Sequence, residues 1–139
     1  MPRAPVVRPR LLGAVVAGGM LGVALRALLT VGAGPDAIAA ATLAINVAGS
    51  FGLGVVIGLL GARHPARRAF FGTGVFGGFT TYSAFAVQSV EATASAPLLA
   101  AGLAVVSIVL GIAAAAAGLA LGRDIARRRG SFDDPSEAE

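Results

Sequence analysis

Several polar side chains lie inside otherwise apolar stretches of this 139-residue chain. Asn46 offers two amide donors and one acceptor, and Ser50 lies one helical turn further on the same face. Polar groups are costly within a membrane, so each one is a functional candidate. Asn46 could bond a neighbouring helix or present a donor to a pore. The other polar candidates are Arg26, Thr81, Ser83 and Ser107.

The segment 72–85, GTGVFGGFTTYSAF, combines glycines, hydroxyls and aromatic rings within an apolar stretch. This composition predicts a helix broken near mid-membrane, which is tolerated only where protein or water surrounds it. Broken helices direct backbone amide or carbonyl groups at ions. The ring edges of Tyr82 and Phe85 carry positive quadrupole density and could stabilise a dehydrated anion, although such rings could equally pack between helices.

These candidates require membrane-spanning elements to position them. The chain is 56% hydrophobic and 13% charged, with a mean hydropathy of +0.83, which is typical of a membrane protein. About 20 helical residues cross a hydrocarbon core of about 30 Å. The predicted fold is therefore an all-α membrane protein with four transmembrane helices in residues 11–122. The predicted spans are 11–33, 37–60, 69–90 and 97–121, between a basic segment 1–10 and a basic, then acidic tail 123–139.

The arginines predict the orientation of these spans. All eleven basic residues are arginines, and only Arg26 lies within a span. The others lie before span one, between spans two and three, or after span four, which places them on one side of the membrane. Because cytoplasmic loops are enriched in arginine, both termini are predicted to be cytoplasmic in a multi-pass plasma (inner) membrane protein. The anionic partner expected for these arginines is lipid headgroups rather than nucleic acid.

Residue content argues against several functions. The chain has no cysteine and a single histidine, His64, in a basic loop, so it offers no catalytic or metal-binding cluster of these residues and no enzyme activity is expected. A four-span multidrug exporter would need a carboxylate within a span, and none is present. A non-conducting membrane assembly subunit remains an alternative, although it would not explain the break in 72–85.

Three motifs in consecutive spans carry a resemblance to a known family. They are GGMLGVALR at 18–26, TLAINVAGSF at 42–51 and GVFGGFTTYSAF at 74–85. Together they resemble the Fluc (CrcB) fluoride channels across the first three spans. The fourth span matches only in its apolar character and in Ser107.

The resemblance implies an antiparallel, dual-topology-type dimer of four-helix subunits with two fluoride pores, through which cytoplasmic fluoride leaves down its electrochemical gradient. It also implies a structural sodium ion on the dimer axis, held by the backbone carbonyls of Gly77 and Thr80. The pore residues that it implies are Asn46, Tyr82, Phe85 and the span-one Arg26. The sequence departs from the family pattern where Tyr82 replaces a usual phenylalanine and Gln88 a common glutamate.

The one-sided arginine pattern bears on the partner. An antiparallel homodimer requires one sequence to insert in both orientations, which needs nearly balanced loop charge. We therefore predict that this chain inserts one way and pairs with a paralogue of opposite charge bias. A homodimer formed by dual insertion remains the alternative.

Topology tags on both termini test the predicted orientation. We expect the tags to report a cytoplasmic location in nearly all molecules, because the arginines favour that side. A substantial population with external termini would contradict a fixed orientation and support the homodimer.

Overall fold

The computed structural model describes residues 8–61 and 64–130, which are helical with short connections and contain no strand. Residues 1–7, Arg63 and the acidic tail 131–139 lie outside the described residues. The elements are α1 (Pro9–Thr30), α2 (Pro35–Leu60), α3 (Pro65–Arg68), a π-helical segment (Ala69–Phe76), α4 (Gly77–Phe79), α5 (Tyr82–Ser95) and α6 (Pro97–Gly130).

Prolines and glycines set the limits of the long helices. Proline occupies the first position of α1, α2, α3 and α6, where its missing N–H has no partner to lose and its φ already suits a helix. The connection after α1 contains Gly32 at φ 74°, and α2 is followed by Gly61 at φ 50°. Glycine adopts these positive φ values without steric cost, so the chain turns sharply after both helices.

Within the described residues, three helices are long and apolar enough to cross a membrane: Pro9–Thr30, Ala37–Leu60 and Ala100–Gly130. They correspond to the predicted first, second and fourth spans. The predicted third span, 69–90, is not a single α-helix, because π-helical and α-helical parts precede Thr80 and a separate α-helix follows Thr81.

The two largest differences between the ends of the predicted spans and the observed helices lie at the ends of α5 and α6. Helix α6 continues past residue 121 to Gly130, so Arg123 and the following arginines lie on a helix rather than in a loose tail. The predicted break at 91–97 contracts to Ala96, because α5 extends to Ser95 and α6 begins at Pro97.

Glycines bring α1 into backbone contact with the part of the third predicted span that precedes the break, residues 69–79. A methyl group on Gly18 would collide with the Phe70 carbonyl oxygen, and one on Gly22 would collide with the Val75 carbonyl oxygen. In the other direction, Gly78 lies against the backbone of Gly19. Small residues allow this close approach, which membrane helices use because burial of apolar surface gives them little drive to associate.

A second glycine interface joins α2 to α6. Gly54 and Gly58 of α2 face the backbone of α6, and Gly118 and Gly122 of α6 face the backbone of α2 in return. Each added methyl group would meet main-chain atoms that cannot move aside. Glycine pairs spaced four residues apart thus lie at two interfaces within one subunit: Gly18/Gly22 and Gly74/Gly78 at the first, Gly54/Gly58 and Gly118/Gly122 at the second.

The outer surface is apolar. Met20 is 70% exposed and Leu28 is 72% exposed on α1. The side chains of Val105, Val106 and Val109 of α6 are likewise exposed. A lipid environment explains this arrangement, because apolar side chains lose nothing by facing acyl chains.

The α2–α6 interface yields a stability prediction. We expect Gly118→Ala to lower the free energy of unfolding by about 1–3 kcal/mol, as overpacking does. Gly102→Ala, on the same helix but with open space around it, should be neutral or stabilise by up to about 1 kcal/mol through helix propensity. Thermal melting in detergent measures both variants. Equal destabilisation of the two would contradict the close backbone contact.

Candidate ion site at the Thr80–Thr81 break

The break begins where Thr80 leaves the helix. Thr80 has φ −74° and ψ 158°, which is extended backbone. Its N–H and its hydroxyl both donate to the Phe76 carbonyl oxygen, at 3.1 Å and 2.8 Å. The side chain therefore helps to close the end of α4 rather than facing outward as a free donor.

Thr81 begins the next helix. Its hydroxyl oxygen accepts the Ala84 N–H at 3.2 Å, as an N-cap residue does for the third residue of a helix. The same hydroxyl lies 3.2 Å from the Ser83 hydroxyl. Thr81 is only 8% exposed, so these bonds form away from solvent.

Asn46 holds the backbone of the break from α2. Its Oδ1 accepts the Thr81 N–H at 2.8 Å, and its Nδ2 donates to the Thr81 carbonyl oxygen at 3.0 Å. One side chain thus satisfies both backbone groups of a buried non-helical residue. An unpaired buried amide would cost about 1–3 kcal/mol, so Asn46 makes the break tolerable.

These bonds release two backbone carbonyls. In a continuous helix the Thr81 N–H would bond the Gly77 carbonyl, four residues earlier, but it donates to Asn46 instead. Likewise, the Ala84 N–H would bond the Thr80 carbonyl, but it donates to the Thr81 hydroxyl. The oxygens of Gly77 and Thr80 therefore lack their usual helical partners, and an added methyl group at Gly77 would have open space around it.

A cleft of about 460 Å³ lies beside the break. It brings together four of the predicted pore residues and both predicted carbonyl donors. Its lining includes Asn46, Thr81, Tyr82, Phe85, Gly77 and Thr80.

A second cleft of about 740 Å³ lies between α2, α5 and α6. It shares Asn46, Tyr82 and Phe85 with the first cleft and adds Ser107 of α6. The two clefts therefore meet at the asparagine and the two rings.

Several polar groups in the second cleft are already bonded to one another or to backbone. Gln88 Nε2 donates to the Thr42 hydroxyl at 3.0 Å, and the Thr42 hydroxyl donates to the Ile38 carbonyl at 2.9 Å. The Ser107 hydroxyl donates to the Leu103 carbonyl at 2.8 Å. Ser107 therefore offers lone pairs rather than a proton to the cleft. The amide of Asn46 retains one N–H beyond the bond to Thr81.

The break separates Phe79 from the two other aromatic residues discussed for the third predicted span, Tyr82 and Phe85. Phe79 precedes the break and packs near Gly22 and Gly49, between α1 and α2. Tyr82 and Phe85 follow the break and face the clefts, with ring centroids 6.1 Å apart and planes inclined at 46°. Tyr82 is 81% exposed. Phe79 thus packs between helices, whereas Tyr82 and Phe85 line the clefts.

Two predicted pore residues lie outside both cleft linings. Ser83 is exposed and bonds the Thr81 hydroxyl. Arg26 lies on α1, one turn beyond Gly22 on the face that packs against residues 75–79. Its Nε is buried and has no hydrogen-bond partner within the described residues.

Two hydroxyl-bearing residues that line the first cleft were not among the predicted site residues. Ser50 lines both clefts, and its spacing from Asn46 already placed it on the same helix face. Thr73 lines the first cleft from the π-helical segment. No sequence pattern signalled Thr73, because an α-helical register places its side chain differently from the observed π-helix.

The fold and the break define an all-helical membrane protein with a candidate ion site, and comparison with known proteins gives its family. The family model described as "CrcB-like protein, Camphor Resistance (CrcB)" matches residues 13–119. The chain belongs to this CrcB family.

Its curated relatives are named as ion channels rather than as enzymes. The chain is 46% identical over 125 residues to "Fluoride-specific ion channel FluC 2" of Leifsonia xyli, covering 84% of this chain and 86% of that relative. It is 40% identical over 119 residues to "Fluoride-specific ion channel FluC 2" of Bacillus subtilis, covering 84% and 91%. It is 41% identical over 119 residues to "Fluoride-specific ion channel FluC" of Agrobacterium fabrum, covering 80% and 94%.

The cap of α5 yields a prediction for the break. We expect Thr81→Ala to lower the free energy of unfolding by about 0.5–2 kcal/mol, because the Ala84 N–H loses its acceptor. Thr81→Ser keeps the hydroxyl and should remain within a few tenths of a kcal/mol of the unmodified chain. Thermal melting in detergent distinguishes them. If both substitutions have the same effect, the hydroxyl does not cap the helix.

Proposed function

We propose that this chain is a subunit of a fluoride-selective channel through which cytoplasmic fluoride leaves the cell down its electrochemical gradient. Its membership of the CrcB family and the names of its relatives support this function. The bonding of Asn46 at the Thr80–Thr81 break carries the proposal, because it fixes an amide donor beside two aromatic rings in an open cleft.

The anion path runs past Asn46, Tyr82 and Phe85. Fluoride is small and strongly hydrated, so a channel must replace its water with donors. The remaining Asn46 N–H and the positive ring edges supply them without a full charge that would trap the ion. A larger chloride would fit a narrow path of this kind poorly.

The third predicted span would cross the membrane as two half-helices. Residues 69–79 form the first half and α5 the second. At about 1.5 Å per helical residue, the two halves together are long enough for a hydrocarbon core of about 30 Å. Together with the three long helices, this broken helix would give the four predicted spans.

A second subunit would complete the site. Gly77 and the ring of Tyr82 are exposed at the outer surface of the single subunit, next to backbone carbonyls that lack helical partners. Carbonyls in that state are unfavourable against lipid. We infer that another subunit covers this face in an antiparallel dimer, so that each pore draws on both chains.

Sodium would bind on this shared face. The free carbonyl oxygens of Gly77 and Thr80 are hard neutral donors, the type that suits a hard cation. One chain contributes two such oxygens, which are too few for a full shell, so a second chain would supply a matching pair. When bound, the ion would hold the two subunits together and would undergo no chemistry.

The arginines support a fixed orientation with both termini in the cytoplasm. Within the described residues, Arg8 precedes α1, Arg67 lies in α3 and the arginines of α6 lie near its C-terminal end, and all of them are exposed. Arg68 donates to the Gly61 carbonyl at 3.4 Å, which joins this basic segment to the end of α2. A paralogue of opposite charge bias remains the proposed partner, and a homodimer is the alternative.

Fluoride efflux from liposomes tests the proposed function. The purified chain, alone and with its proposed paralogue, should release fluoride and retain chloride. We expect Phe85→Leu to slow fluoride efflux by at least about tenfold, equivalent to about 1.4 kcal/mol on the limiting barrier. Val87→Leu, on the same helix but outside both clefts, is the matched control.

The outcomes separate the candidate functions. Equal release of fluoride and chloride would contradict a selective channel. Efflux that requires the paralogue and survives Phe85→Leu in this chain would favour a non-conducting assembly subunit.

A further inference from the structure

We propose that Asn46 is a positioning residue for the cation site as well as a lining residue of the anion path. It does this by taking the Thr81 N–H away from the Gly77 carbonyl. The inference rests on the proposed sodium site and assigns a residue of α2, distant from that site in sequence, to its construction.

The Gly77 carbonyl oxygen and Asn46 Oδ1 are alternative acceptors for one N–H, that of Thr81. The Thr81 amide is buried, and its helical acceptor would be the Gly77 carbonyl oxygen. Asn46 Oδ1 accepts this N–H at 2.8 Å. Since a buried N–H without an acceptor costs about 1–3 kcal/mol, loss of the asparagine would favour rewinding of the chain onto Gly77.

Rewinding would remove the Gly77 carbonyl oxygen from the cation site. A Gly77 carbonyl that accepts a helical hydrogen bond has its lone pairs directed at Thr81 rather than at a cation. The Thr80 carbonyl is kept free by a separate device, the Thr81 hydroxyl that caps Ala84. Asn46 therefore controls one of the two oxygens that the chain contributes.

Thr81 in turn fixes the orientation of the Asn46 side chain. It donates to the Thr81 carbonyl at 3.0 Å, so its amide plane is fixed by two bonds to the same residue. This leaves one N–H for the cleft that contains the two rings. The same side chain thus serves two ions through different atoms: Oδ1 acts indirectly on the cation site, and Nδ2 faces the anion path.

Two substitutions separate these roles. Asn46→Asp keeps an oxygen that accepts the Thr81 N–H, and in its protonated form it also donates to the Thr81 carbonyl. It places a carboxyl group where an anion must pass. Asn46→Leu is similar in size and removes both the acceptor and the donor. Asn46→Ser, whose hydroxyl is too short to reproduce both bonds, serves as a second variant if the leucine variant does not fold.

The measurement is the sodium-dependent shift in melting temperature of the purified protein, in sodium or N-methyl-D-glucamine chloride at equal ionic strength. We expect the unmodified chain and Asn46→Asp to show the shift, and Asn46→Leu or Asn46→Ser to lose it. Phe85→Leu lacks a ring of the anion path but keeps every bond of the break, so it should retain the shift. Fluoride efflux should fall in all four variants.

The results distinguish this inference from the proposed function. A sodium shift that persists in folded Asn46→Leu or Asn46→Ser would overturn the positioning role, and so would its loss in Asn46→Asp or Phe85→Leu. An unmodified chain that conducts fluoride but shows no sodium shift would overturn the inference and leave the fluoride channel standing.

Discussion

The whole arrangement depends on one requirement: every buried backbone N–H and C=O within a membrane needs a partner. At Thr81 the helix ladder no longer supplies that partner, and Asn46 supplies it through two hydrogen bonds. Because the partner comes from another helix, the break has a defined shape rather than a range of shapes. The free carbonyls, the cap of α5 and the directions of the two rings all follow from that shape.

Glycine interfaces fix the positions of the helices that bring Asn46 and Thr81 together. Backbone contact fixes α1 against residues 70–79, and a second set of contacts fixes α2 against α6. Gly49 adds a third constraint, because a methyl group there would collide with the Thr80 side chain. Asn46 lies one turn before Gly49 on α2, so the packing that admits Thr80 also sets the distance from the amide to Thr81.

The site also explains how neutral groups could handle ions of both signs. A peptide chain turned out of its helix releases carbonyl oxygens, while the side chain that holds it keeps one N–H beyond its bond to Thr81. Neither group carries a net charge, so neither would hold an ion too tightly for its proposed task. The one charged side chain among the predicted pore residues, Arg26, lies outside both clefts.

The sequence by itself determined the membrane composition, the resemblance to the CrcB family and four predicted spans, of which three are long apolar helices in the described structure. Hydropathy and local motifs need no long-range contacts. It also marked 72–85 as unusual, since glycine and threonine weaken a helix wherever they occur. It could not reveal the π-helix at 69–76, the bond from Gln88 to Thr42 or the two bonds from Asn46 to Thr81. These bonds join residues 35 or more positions apart, and only the packing of α2 against its neighbours decides which polar groups meet.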